Sequence, residues 1–209
     1  MPNDSKKRRT RNRAATEQLL LEACGKLLLR DGPDGIGVNN VVAEAGVGKD
    51  LIYRYFDGLP GLVKAWIAND DNWPTVQELT HVENGQFDSL SMPEQVQAIA
   101  RNYLHALRQR PAIVRVLVSE IMHPTDITAI LENAGDRIGR ELYESLRLSG
   151  KDISDDVVDV SLLFTIVINY LSMRAVTSPQ AFGMDLSDEK SWERIEKILG
   201  RLVSRYLAV

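Results

Sequence analysis

Wherever this chain holds enough apolar residues to show a period, the period is that of a helix. Leu20, Ala23, Cys24, Leu27 and Leu28 repeat in this way, as do Leu62, Val63, Trp66 and Ile67, and then Val96, Ile99, Ala100, Tyr103, Leu104 and Leu107. No run of alternating residues bounded by hairpin turns, no internal repeat and no low-complexity tract accompanies them. An all-α fold of about nine helices follows. The first helix is expected over 14–30, opened by Thr16 and Glu17 and closed by Asp31-Gly32-Pro33. A short helix from Val38 or Asn39 to Ala45, another from Lys49 to Phe56 and one from Leu62 to about Asn72 come next. Longer helices are expected over 92–109, 111–122, 125–148, 155–177 and 188–207.

Charge is distributed unevenly. Residues 1–66 carry 11 Lys/Arg against 8 Asp/Glu, whereas 67–209 carry 14 against 21, so a basic head precedes an acidic body. Such a head suits a polyanion, and the body keeps away from it. Six of the eight residues from Lys6 to Arg13 are basic, and 1–13 is expected to be a disordered arm in which Arg9 and Arg11 reach the polyanion. The single cysteine, Cys24, excludes an internal disulfide, and no apolar stretch follows the basic N-terminus, so a cytoplasmic location is expected. The longest apolar run, Val157 to Met173, carries Asp159, Ser161, Thr165, Asn169 and Ser172; it is read as a helix buried in protein, and no membrane partner is expected.

Residues 38–56 have the mechanics of a helix-turn-helix. Val42 and Ala43 are expected to face the core, Gly46 to permit the sharp turn, Val47 to plug the corner, and Ile52 and Phe56 to anchor the second helix. That leaves Lys49, Asp50, Tyr53, Arg54 and Tyr55 outward, groups of the kinds that touch phosphates and base edges. The bland alternatives are packing for the two tyrosines and solvation for Lys49 and Arg54. The stretch 16–66 resembles the TetR family signature. Its carriers are paired small residues (Ala23-Cys24), a glycine (Gly32), an apolar-Ala pair (Val42-Ala43), Ala45-Gly46-Val47 and Ile52-Tyr53-Arg54-Tyr55-Phe56.

The resemblance implies an N-terminal three-helix DNA-binding domain over 14–60 and a helical bundle over 61–209 for ligand binding and dimerisation. It places Lys49 to Phe56 in the major groove, Asn39 and Asn40 beside the backbone and neighbouring base edges, and Tyr53 and Tyr55 on phosphates. Gly48 stands where the family usually has a capping Ser or Thr, and Leu59 where a phosphate-binding Lys usually follows the Phe; Lys64, a turn later, is the substitute. One head spans one half-site, so a homodimer on a near-palindromic double-stranded operator is expected, its reading helices about 34–36 Å apart or a multiple of that.

Helix 155–177 is apolar nearly all round and is expected to meet its own domain on one side and a partner subunit on another. Its polar stripe of Thr165, Asn169 and Ser172 calls for a dimer contact, an internal hydrogen bond or a ligand. By resemblance a small lipophilic effector, displacing a repressor from DNA, would sit among Tyr103, Leu107, Met122, Leu142, Phe164 and Asn169. Catalysis finds no support: His81, His105 and His123 share no metal-ligand spacing, and neither a phosphate loop nor a nucleophile elbow appears. No metal or cofactor is expected. The rival reading is a DNA-binding or protein-interaction module of the same fold without an effector.

Overall fold

The computed structural model describes residues 3–69, 72–83, 85–122, 124–148, 150–151 and 153–207, with the backbone alone for 3–12 and 131. Among these residues the chain forms ten α-helices and one two-stranded hairpin, so the all-α expectation stands. It divides into two units: residues up to Trp73 with Arg115–Ala134, and Pro74–Val114 with the residues from Gly135 onward.

In the first unit, α1 (Asn3–Asp31) buries Leu20, Ala23, Cys24, Leu27 and Leu28, the set that its spacing predicts. The helix starts well before residue 14, because the stretch ahead holds neither glycine nor a second proline to stop it and is rich in Lys and Arg, good helix formers. The side chains of Arg9 and Arg11 lie outside the described residues. A 3₁₀ turn over Pro33–Gly35 leads to α2 (Val38–Ala45), α3 (Asp50–Phe56) and α4 (Leu59–Ile67). Helix α4 buries Leu62, Val63, Trp66 and Ile67. It ends short of the expected Asn72 because Asn72 folds back, donating from Nδ2 to the Trp66 carbonyl at 2.9 Å. Where α1 meets α4, a Cβ on Gly25 would lie 2.9 Å from the Trp66 indole nitrogen, so this close approach needs the glycine. Cys24 is fully enclosed, and burial pushes its thiol up to about 12, which leaves it an inert core residue.

The second unit is built on α6 (Met92–Gln109), α9 (Asp155–Thr177) and α10 (Glu189–Tyr206). Ser91 and Glu94 close a capping box at the start of α6: the Ser91 amide donates to Glu94 Oε2 at 2.8 Å, and its hydroxyl donates to the same oxygen at 2.6 Å. These bonds hold the Glu94 carboxyl below its ordinary range. The inward stripe of α6, Val96, Ala100, Leu104 and Leu107, meets Val160, Phe164, Ile168 and Leu171 of α9 and Trp192, Ile195, Leu199 and Val203 of α10. Polar ties flank this core. Gln97 donates to Ser204 at 2.9 Å, and the Arg108 guanidinium grips Glu189 while lying 4.9 Å over the Trp192 ring.

Two elements escape the helical period. Helix α5 (Val76–Leu79) is a single turn capped by Thr75, held by the paired Arg110–Glu78 hydrogen bonds at 2.8 Å, and it accounts for the helix beyond nine. The hairpin of β1 (Gln180–Ala181) and β2 (Met184–Asp185) pairs Gln180 with Asp185 and Ala181 with Met184. Strands of two residues are too short to show alternation. The remaining helices, α7 (Pro111–Met122) and α8 (Asp126–Leu148), match their expected spans closely.

Candidate nucleic-acid interface

The corner between α2 and α3 is built from backbone constraints. Gly46 ends α2 at φ 66°, ψ 32°, the left-handed conformation that glycine adopts without Cβ strain, and the Val47 amide donates to the Val42 carbonyl at 3.2 Å. No heavy atom lies within 4 Å of a Cβ built on Gly46, so a substitution there meets backbone strain without a clash. Gly46→Val should therefore lower the head's stability by roughly 1–2 kcal/mol, with Gly46→Asn costing less, as thermal melts would show.

The core side of this corner differs by one residue from expectation. Val41 is the fully buried residue of α2, while Val42 is half-buried and Ala43 exposed. The reason is register: neighbouring valines are interchangeable in so short a pattern, and the helix phase is set by its start at Val38. On α3, Ile52 is fully buried as expected, whereas Phe56 is only half-buried. The end of α3 turns sharply through Asp57 (φ 57°) and Gly58 (φ 99°) into α4, and Gly61 then comes so close that a Cβ would lie 1.6 Å from the Phe56 carbonyl oxygen.

Lys49, just ahead of α3, and Asp50, Tyr53 and Arg54 on it all stand exposed, Tyr53 at 54% of its full area. The spacing of four pairs Lys49 with Tyr53 and Asp50 with Arg54 along the helix. Arg54 Nη2 donates to Asp50 Oδ2 at 2.8 Å, so the guanidinium is held against the surface of its own helix. A Cβ at Gly48 would lie 2.8 Å from Asp50 Oδ1, an exposed carboxylate that can rotate away. Lys49 occupies the position before α3, and no side chain caps that end. An uncapped helix start leaves amide N–H groups directed outward, where a phosphate is favoured.

Tyr55 is turned differently. It is half-buried on the α1 side, with the Arg13 guanidinium 5.0 Å over its ring. Arg13 in turn donates to Glu17 at 2.7 Å. Sequence reading placed Arg13 in the arm without a role; its spacing of four from Glu17 was the available signal. Asn39 is exposed on α2, but Asn40 uses its Nδ2 to donate to the Gly35 carbonyl at 2.9 Å, which braces the turn ahead of α2. Arg30 also went unnoticed: it donates to Asp31 and, at 3.0 Å, to Glu44, tying the end of α1 to α2. Leu59 is half-buried in the first turn of α4, and Lys64 is exposed further along it.

The residues expected to line an effector site differ in burial within their own units. Leu107 and Phe164 are core, Leu142 is half-buried, and Met122 is 65% exposed. Tyr103 donates its hydroxyl to Asn169 Oδ1 at 2.6 Å, so the amide oxygen on the polar stripe is satisfied inside the unit. Thr165 is likewise satisfied, donating to the Ser161 carbonyl at 3.0 Å, whereas the buried Ser172 hydroxyl has no hydrogen-bond partner among the described residues. A cleft of about 730 Å³ opens elsewhere in this unit, along the outer face of α6 beside residues 81–90, where His81, Gln97, Arg101, Asn102 and His105 line it.

An all-α chain with a rigid two-helix corner and an outward second helix has the architecture of a helix-turn-helix regulator. Residues 20–65 match the family model "Bacterial regulatory proteins, tetR family". Residues 20–65 are thus similar to the N-terminal domain of that family, and the chain carries the fold of its transcriptional regulators. A TetR transcriptional regulator from Agrobacterium tumefaciens is 18% identical, with a TM-score of 0.58 over 91% of this chain and 93% of that one. A TetR-family transcriptional regulator from Mesorhizobium loti is 16% identical, with a TM-score of 0.58 over 94% and 96%. An HlyIIR mutant protein is 15% identical, with a TM-score of 0.56 over 88% and 95%. At these identities the likeness is one of fold. No curated protein matches the chain in a sequence comparison.

Proposed function

We propose that the chain is a homodimeric, cytoplasmic DNA-binding repressor that reads a near-palindromic operator and is released from it by a small effector. The observation that carries the reading is the exposure of Lys49, just ahead of α3, and of Tyr53 and Arg54 on it, while Ile52 of the same helix is fully buried. A buried anchor fixes the helix, and the outward groups are left to bind. Arg13 over Tyr55 adds a second cation beside the head. The role is one of binding, with no bond made or broken.

Two copies are required because one short helix covers one half-site. The outer side of α9 supports pairing: Leu162, Leu163, Ile166 and Tyr170 are exposed by 58, 59, 55 and 44%. By length and composition α9 is also apolar enough to cross a membrane. Its inner face, however, packs on α6 and α10, and Asp155, Asp156 and Asp159 occupy its first turns, which favours a protein partner for the outer face. For the effector, the α6 cleft favours a water-soluble, hydrogen-bonding molecule over a lipophilic one, since Arg101 and two histidines face it.

Titration of DNA from the gene's own promoter region at several salt concentrations tests the reading. Sequence preference is expected, together with affinity that falls as salt rises. Lys49→Ala and Arg54→Ala should each weaken operator binding about tenfold, within the 1–3 kcal/mol of a lost base-edge contact, without lowering the melting temperature. If both variants bind like the parent, α3 is not the reading helix.

A further inference from the structure

The hairpin after α9 is held firmly, yet its tip is made of the wrong residue for a free turn. Arg174 donates to the Gln180 carbonyl at 2.7 Å, the Leu186 amide donates to the Pro179 carbonyl at 2.9 Å, and the Trp192 indole donates to the Leu186 carbonyl at 2.7 Å. Ala181 and Leu186 are buried beneath it. The two residues between the paired strands are Phe182 and Gly183, at φ 51° and 74°. A two-residue loop with both φ values positive calls for Asn, Asp or Gly at its first position, because a Cβ-bearing bulky side chain is strained there. Phe182 is also 82% exposed, and among the described residues its ring pairs with that of Tyr170, 6.5 Å away centroid to centroid.

A left-handed backbone and a large exposed apolar area are thus combined at one position. Tyr170, in ring contact with Phe182, links the tip to the outward stripe of α9, where Leu162, Leu163 and Ile166 are more than half exposed. Together these α9 side chains and Phe182 leave on the order of 600 Å² open to solvent, at the upper end of what a monomer normally leaves bare and most of the share that each partner of a stable interface buries. We propose that Phe182 is the anchor of the homodimer, a rigidly mounted wedge that the two-fold axis drives into the α9 face of a second copy. This rests on the dimer proposed above and names the residue that carries it.

The test compares the full chain with Phe182→Asn and Phe182→Trp by sedimentation equilibrium over a range of concentrations, with thermal melts at a dilution where all three are monomers. Phe182→Asn should raise the dimer dissociation constant at least tenfold and raise the monomer's melting temperature, since asparagine suits the turn. Phe182→Trp should keep the dimer. A wild-type dimer whose dissociation constant is unchanged in Phe182→Asn overturns the anchor and leaves the dimer standing. A wild-type chain that stays monomeric overturns the dimer itself. Weakened pairing with a lowered monomer melting temperature also overturns the proposal, because the substitution would then have damaged the hairpin.

Discussion

Gly61→Ala is expected to lower the stability of the helix-turn-helix unit by about 3 kcal/mol, at the upper end of the overpacking penalty. The added methyl would lie 1.6 Å from the Phe56 carbonyl oxygen and 2.8 Å from its carbonyl carbon. Both are backbone atoms, so no change of rotamer relieves the overlap, and α4 must move away from the end of α3. That movement disturbs the turn through Asp57 and Gly58, which joins α3 to α4. Against a total stability of roughly 5–15 kcal/mol for a typical domain the loss is large. Gly200→Ala provides the control, since a Cβ there meets Gln97 Oε1 at an ordinary 3.6 Å within a helix that favours alanine. Thermal melts followed by circular dichroism should separate the two variants clearly. Equal melting temperatures would show that α4 does not crowd α3 as closely as the geometry says.

The second large effect is expected in the other unit. Asn169→Ala removes the acceptor for the half-buried Tyr103 hydroxyl, and the unpaired hydroxyl costs about 1 kcal/mol, towards the low end of the penalty for an orphaned polar group. Tyr103→Phe combined with Asn169→Leu should recover most of that loss, because a polar pair replaced on both sides leaves no orphan. The pair has a pH signature as well. Burial raises Tyr103 from 10.0 to about 12, opposed by its hydrogen bond to Asn169, so the folded chain keeps its proton where the unfolded chain has lost it. The folded state then binds more protons between these values, and stability falls as pH rises from 10 towards 12. Cys24 contributes with the same sign from 9.0 upward. Urea unfolding at pH 8 and pH 11 should show the decline, and Tyr103→Phe should flatten it.

The long helices were legible because each repeats its buried face often enough to average out accidents, as Val96, Ala100, Leu104 and Leu107 do. Short elements lack that redundancy. Eight residues of α2 could not distinguish Val41 from Val42, and four residues of α5 carried no period at all. Gly61 read as a chain breaker beside Pro60, since the approach of a carbonyl from the preceding helix has no local signature. The Phe182-Gly183 turn was hidden for a different reason: its first residue is one that such turns avoid. For the outward groups of α3, helical spacing sufficed for Lys49, Asp50, Tyr53 and Arg54. The turning of Tyr55 toward Arg13 and of Asn40 toward Gly35 depended on neighbours brought in by the fold.

The Asp50–Arg54 pair bears on how the chain would search a genome. A guanidinium already neutralised by its own helix adds little pull toward an arbitrary stretch of duplex, so encounters with wrong sequences would be brief. Only where a guanine edge or a well-placed phosphate outbids the aspartate would the arginine swing across. Promiscuous residence is thereby traded for discrimination at the moment of docking.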